Sequence, residues 1–127
     1  MPLVKTLTGE TSGCADSYNN ASFSFNTKAR NALATINKSG LGIKTVFVDA
    51  YATIQNAMNN PTKYGFTETS KGCCGSGTIE FGDTCKGMST CKDPSKYVFW
   101  DAVHPTEKMY RIIADEALRS VSSKILV

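Results

Sequence analysis

Histidine is almost missing from this chain: His104 is the only one in 127 residues. Any acid–base chemistry that uses an imidazole therefore runs through that one position. Long apolar runs are missing too. No stretch approaches the roughly 20 residues that a membrane-spanning helix needs, so no stable membrane insertion is expected. The opening residues, Met1 to Glu10, lack the apolar core of about 7–15 residues that marks a signal peptide. Runs of Lys and Arg are absent and the net charge is only +3, so no nucleic-acid partner is expected. Internal repeats and linkers are also lacking. The whole of 1–127 reads as one domain, or part of one.

What remains is ordinary globular material, 41% hydrophobic and 20% charged. Residues 1–13 are rich in Thr, Gly and Ser and read as a loop. Over 15–37 the residues Tyr18, Phe25, Ala29, Ala32, Leu33 and Ile36 recur at helical spacing, and Ser39-Gly40 would end that helix. The β-branched run 44–49 reads as a buried strand. Residues 51–59 read as a short helix with Ile54, Ala57 and Met58 inward, stopped by Asn59-Asn60-Pro61. Residues 62–94 read as a long cross-linked loop. A second strand is expected at 97–100 and a helix at 106–122, with Met109, Ile112, Ile113, Ala117 and Val121 on one side. Glu107→Arg111 and Asp115→Arg119 are acid-first pairs four residues apart. Helices between strands point to a parallel α/β sheet. Two strands with about three helices are thin for a complete domain of that class, and an uncovered strand would expose apolar surface and an open edge.

Cysteine is the residue this chain does not lack. Cys73, Cys74, Cys85 and Cys91 cluster, and Cys14 stands alone. Structural zinc sites use C-x₂₋₄-C pairs, often with histidine, and this spacing does not match. The cluster reads as disulfides in an oxidising compartment. A bond between neighbours 73 and 74 would be strained. That leaves 73–85 with 74–91, or 73–91 with 74–85. Cys14 is left without a partner. Asn20-Ala-Ser22 and Asn37-Lys-Ser39 are candidate glycosylation sites at Asn20 and Asn37.

The chemistry gathers where the second strand gives way to the last helix. Asp101 ends the apolar run and His104 follows three residues later, with Pro105 pinning the helix start. A carboxylate there can hold an imidazole by Nδ1 and leave Nε2 as general base. The alternative for the same four residues is a loop in which the histidine merely caps a helix. The only serine between two glycines, Ser76, follows no expected strand, so no nucleophile is read in this chain.

Lys71-Gly-Cys-Cys-Gly-Ser-Gly77 and Lys96-Tyr-Val-Phe-Trp-Asp-Ala-Val-His-Pro-Thr-Glu107 together resemble the C-terminal part of a plant GDSL-type esterase/lipase of the SGNH hydrolase family. Asn60-Pro-Thr-Lys-Tyr-Gly-Phe66, Val46-Phe-Val-Asp49 and Gly13-Cys14 add to the likeness. The resemblance implies the C-terminal part of a three-layer α/β/α fold. It also implies a secreted hydrolase of lipid or small acyl esters, working by a Ser-His-Asp mechanism without a cofactor or metal. It makes Asp101 the orienting acid and His104 the general base. The family's serine, oxyanion glycine and asparagine belong to upstream blocks that do not occur here. The expectation is a truncated hydrolase, inactive alone, whose partner is the missing N-terminal half. A non-catalytic disulfide-bonded binding module is the alternative, as is an incomplete gene product.

Overall fold

The structure is a computed structural model that describes residues 1–9 and 15–125; Cys14 lies outside the described residues. Four helices and a two-stranded parallel sheet occur in the order α1 (Pro2–Thr8), α2 (Asp16–Lys38), α3 (Ala50–Asn59), β1 (Glu68–Gly72), β2 (Tyr97–Phe99) and α4 (Glu107–Lys124). This is a partial α/β fold.

Each helix has a local cause. In α1, Pro2 occupies the first turn, where a missing N–H costs nothing, and Gly9 ends it in the left-handed conformation. That helix corrects the loop expected over 1–13. α2 matches its periodicity and ends at Ser39. α3 starts at Asp49, whose Oδ1 accepts from the Ala52 amide at 2.9 Å, and stops before Pro61. α4 is capped by Thr106, whose hydroxyl oxygen accepts from the Met109 amide at 3.3 Å. Glu107 and Arg111 pair at 2.7 Å as expected, but Arg119 reaches Glu116 at 3.6 Å rather than Asp115.

The sheet differs from the expected one. Residues 44–49 form no regular element and join no ladder among the described residues. β2 instead pairs with β1, inside the stretch expected to be loop, with Glu68 opposite Tyr97 and Gly72 opposite Phe99 and a register irregularity between. β1 reads Glu-Thr-Ser-Lys-Gly. No apolar alternation announces it, because backbone pairing with β2 holds it there, not side-chain burial.

Ala57, Phe66, Val98, Phe99 and Met109 form the core, with Ile54, Met58, Tyr64, Ile112 and Ile113 packed against it. Thus α3, α4 and β2 share one apolar centre. Met109 is 0% exposed there. Met109→Ala is expected to cost about 2–5 kcal/mol through lost burial and a cavity. Urea unfolding followed by circular dichroism checks this, and a loss below about 1 kcal/mol would refute it.

The α2 face is not buried as its pattern suggests. Phe25 is 70% exposed, and no residue of the helix is buried. α2 is held to 43–49 by polar ties: Arg30 to Asp49 at 2.7 Å, and Asn37 to the Thr45 backbone at 2.7 and 3.0 Å. Beneath it a cavity of ≈ 390 Å³ is lined by Tyr18, Tyr51, Ile54, Met58, Phe99 and Val103, among others. Periodicity marked the apolar face, but the described residues cover only part of it: Ala29 and Leu33 are half-buried, while Tyr18, Phe25 and Ile36 stay exposed.

Candidate active site

The site sits where β2 ends. The Trp100 amide donates to the His104 carbonyl at 2.8 Å, and the Thr106 amide donates to the Val98 carbonyl at 2.9 Å. These bonds fold 100–106 back against the strand before α4 begins. The turn places Asp101 inside, 1% exposed, while the His104 side chain is 51% exposed.

Four donors converge on the Asp101 carboxylate. Oδ1 accepts from the amides of Val103 at 2.8 Å and His104 at 2.6 Å. Oδ2 accepts from the Gly82 amide at 3.1 Å and meets His104 Nδ1 at 2.8 Å. A buried carboxylate is tolerable only when its lone pairs are so occupied. With Asp101 ionised, Nδ1 must carry a proton, so in the neutral ring Nε2 is the unprotonated nitrogen. Nε2 has no hydrogen-bond partner among the described residues. The arrangement therefore holds an imidazole in the tautomer that can accept a proton on its exposed side.

Burial pushes the Asp101 carboxyl up, but the His104 amide and imidazole and the Gly82 and Val103 amides outweigh it. The net effect holds the group below its ordinary value. A depressed folded pKa means the stabilisation is present above the unfolded value of about 3.9 and lost as pH falls through the lower folded value. The gap in melting temperature between wild type and Asp101→Asn is therefore expected to be constant near neutrality and to close in acid below about pH 4. Thermal melts across that range check it; a gap that widens in acid would refute the assignment.

The cysteine loop is laid over this turn. Disulfides join Cys73 to Cys91 and Cys74 to Cys85, one of the two pairings left open by sequence. Cysteines so bonded are not metal ligands. The Cys73 and Cys74 amides donate to the carbonyls of Phe99 and Trp100 at 3.1 and 2.8 Å. The Ala102 amide donates to the Glu80 carbonyl at 2.9 Å, and the Leu3 amide to the Ala102 carbonyl at 2.9 Å, so α1 also braces the turn. Gly72 makes the close approach possible: a Cβ there would lie 2.6 Å from the Asp101 carbonyl carbon and oxygen.

Sequence reasoning found Asp101 and His104, and the structure brings them together. It missed Gly72 and Gly82, which touch Asp101 from far along the chain. The glycines around the cysteines were the only available signal. Ser76 is exposed; its hydroxyl lies 2.6 Å from Glu80 Oε2 and 2.7 Å from Thr78 Oγ1, engaged away from His104. Asn20 is exposed on α2. Asn37 spends its Nδ2 on the Thr45 carbonyl. Among the described residues no helix is long and apolar enough to cross a membrane.

A partial parallel α/β fold with an Asp–His pair at a strand end defines a class, and comparison with known families agrees with it. The chain belongs to the GDSL-like Lipase/Acylhydrolase family, whose profile matches residues 1–117. It is 55% identical over 127 residues to GDSL esterase/lipase At5g45950 of Arabidopsis thaliana, covering 100% of this chain and 35% of that protein. It is 40% identical over 116 residues to GDSL esterase/lipase EXL3 of the same plant, covering 89% of this chain and 32% of that protein. GDSL esterase/lipase At3g14820, also from Arabidopsis thaliana, is 40% identical over 121 residues, 93% of this chain and 34% of that protein. The chain thus spans about a third of the length of the curated relatives it matches. No solved structure matches it significantly.

Proposed function

We propose that this chain supplies the acid and the general base of a carboxylic-ester hydrolase acting on lipid or small acyl esters. The observation that carries the reading is the buried Asp101 holding His104 by Nδ1 at 2.8 Å while Nε2 meets no partner among the described residues. Asp101 orients the ring and stabilises the imidazolium. His104 Nε2 takes the proton of a serine hydroxyl as that oxygen attacks the ester carbonyl, then returns it to the leaving alkoxide. A second cycle, with water as the nucleophile, frees the acid.

On this reading the serine and the oxyanion donors come from the part of the relatives' length that these 127 residues do not span. The engaged hydroxyl of Ser76 supports this, since the serine most nucleophile-like by sequence does not meet His104. The two disulfides support a secreted setting.

The test is a chimera in which these 127 residues replace the matching third of GDSL esterase/lipase At5g45950. Hydrolysis of p-nitrophenyl butyrate that depends on His104 is expected from the chimera and none from the 127-residue chain alone. Turnover by the chain alone that survives Ser76→Ala would sink the reading. A folded chimera without turnover would favour the binding-module alternative.

A further inference from the structure

We infer that the loop closed by the Cys74–Cys85 disulfide is the device that positions the acid–base pair, with the Gly82 N–H as its positioning donor. This rests on the reading of Asp101 and His104 as acid and base.

Three contacts run from this loop to the turn after β2, and they fall on successive residues. The Cys74 amide meets the Trp100 carbonyl at 2.8 Å, the Gly82 amide meets Asp101 Oδ2 at 3.1 Å, and the Glu80 carbonyl meets the Ala102 amide at 2.9 Å. Two of them hold backbone, as any packed loop would. The Gly82 contact is different, because its acceptor is the oxygen that also holds His104 Nδ1. Val103 and His104 fix Oδ1 from within the turn itself. Without Gly82, Oδ2 keeps only the imidazole as a partner among the described residues. The carboxylate plane can then rotate, and the ring loses the acceptor that selects its Nδ1–H tautomer.

The disulfide enters through the geometry of Gly82. That residue opens a short 3₁₀ turn, Gly82–Cys85, which ends on the bridged cysteine. The donor is therefore three residues from the cross-link. Gly82 has φ +54°, a left-handed conformation, and a Cβ there would meet nothing within 4 Å. Glycine is needed for the backbone angle that aims the amide, not for space.

A single histidine makes the test clean, because ¹⁵N spectra of the full chain contain one imidazole. With the ring neutral, wild type is expected to show the Nδ1–H tautomer as the major form. Gly82→Val, whose β-branched side chain disfavours positive φ, is expected to turn the amide away and make Nε2–H, the form free imidazole side chains prefer, the major one. Gly82→Asn keeps the N–H and tolerates the left-handed region, and it is expected to retain the wild-type pattern. Cys74→Ser/Cys85→Ser is expected to shift as Gly82→Val does. If that double variant does not fold, the two Gly82 variants decide, since both leave the disulfides intact.

An unchanged tautomer in folded Gly82→Val overturns the inference, as does a wild-type ring that lacks the Nδ1–H form. A Gly82→Asn chain that shifts as far as Gly82→Val does so too. None of these spectra depends on turnover. A chimera without His104-dependent hydrolysis would remove the catalytic reading, and the spectra would still decide what holds Asp101.

Discussion

His104→Ala in the chimera is expected to lower kcat by on the order of 10⁶, the loss seen when the base of a Ser-His-Asp triad is removed. The magnitude follows from uniqueness as well as mechanism. Within these 127 residues no second imidazole can take over, because they hold one histidine. Asp101→Asn is expected to cost less, about 10⁴, and for a derivable reason. Oδ1 accepts two backbone amides, so the asparagine oxygen must occupy that place. Its NH₂ then falls at the Oδ2 position, facing the Gly82 N–H and His104 Nδ1. Two donors cannot face Nδ1–H, so the ring must protonate Nε2 instead and present no base to a serine. Steady-state kinetics on p-nitrophenyl butyrate measure both losses. Retention of activity within about tenfold in His104→Ala would remove this residue from the chemistry, since an essential base contributes far more than that.

Gly72→Ala is expected to damage both the fold and the turn that holds Asp101. Its Cβ would lie 2.6 Å from the carbonyl carbon and oxygen of Asp101 and 2.7 Å from its Cα. Those atoms are backbone, so no rotamer change relieves the clash; β1 or the turn after β2 must move. The Gly72 amide also donates to the Gly77 carbonyl at 2.8 Å, and Gly77 packs its own α-carbon against Gly72. Displacement at 72 therefore travels into the cysteine loop. Overpacking of this kind costs about 1–3 kcal/mol or more. For a domain of this size, a loss of 2 kcal/mol lowers the melting temperature by roughly 5–15 °C. The second consequence is chemical: Asp101 shifts away from His104. A melting temperature within about 2 °C of wild type, together with an intact Nδ1–H resonance, would refute the close approach, since even a 1 kcal/mol loss moves the midpoint by several degrees.

Tyr18, Phe25 and Ile36 announced α2 by spacing alone, yet spacing said nothing about what would cover them, and they stand exposed. The run 44–49 has the composition of a strand but joins no ladder among the described residues, because a strand is defined by its neighbour and not by its own residues. β1 shows the converse. Its polar residues gave no signal, and pairing with β2 made the strand. Pro2 and Gly9 did mark the first helix, but the Thr-rich composition between them masked it.

The sequence by itself determined the interactions that span a turn or less. These are the helix periodicities, the stops at Ser39 and Pro61, and the three-residue spacing that lets Asp101 meet His104. Such contacts are encoded by neighbours along the chain, so they can be read there. Only the tertiary structure decided which cysteines pair, which strand borders β2, and that Gly82 and Gly72 reach Asp101 from 19 and more residues away. A glycine has no side chain through which to declare a partner. Its amide and its missing Cβ acquire meaning only when folding brings another segment against them.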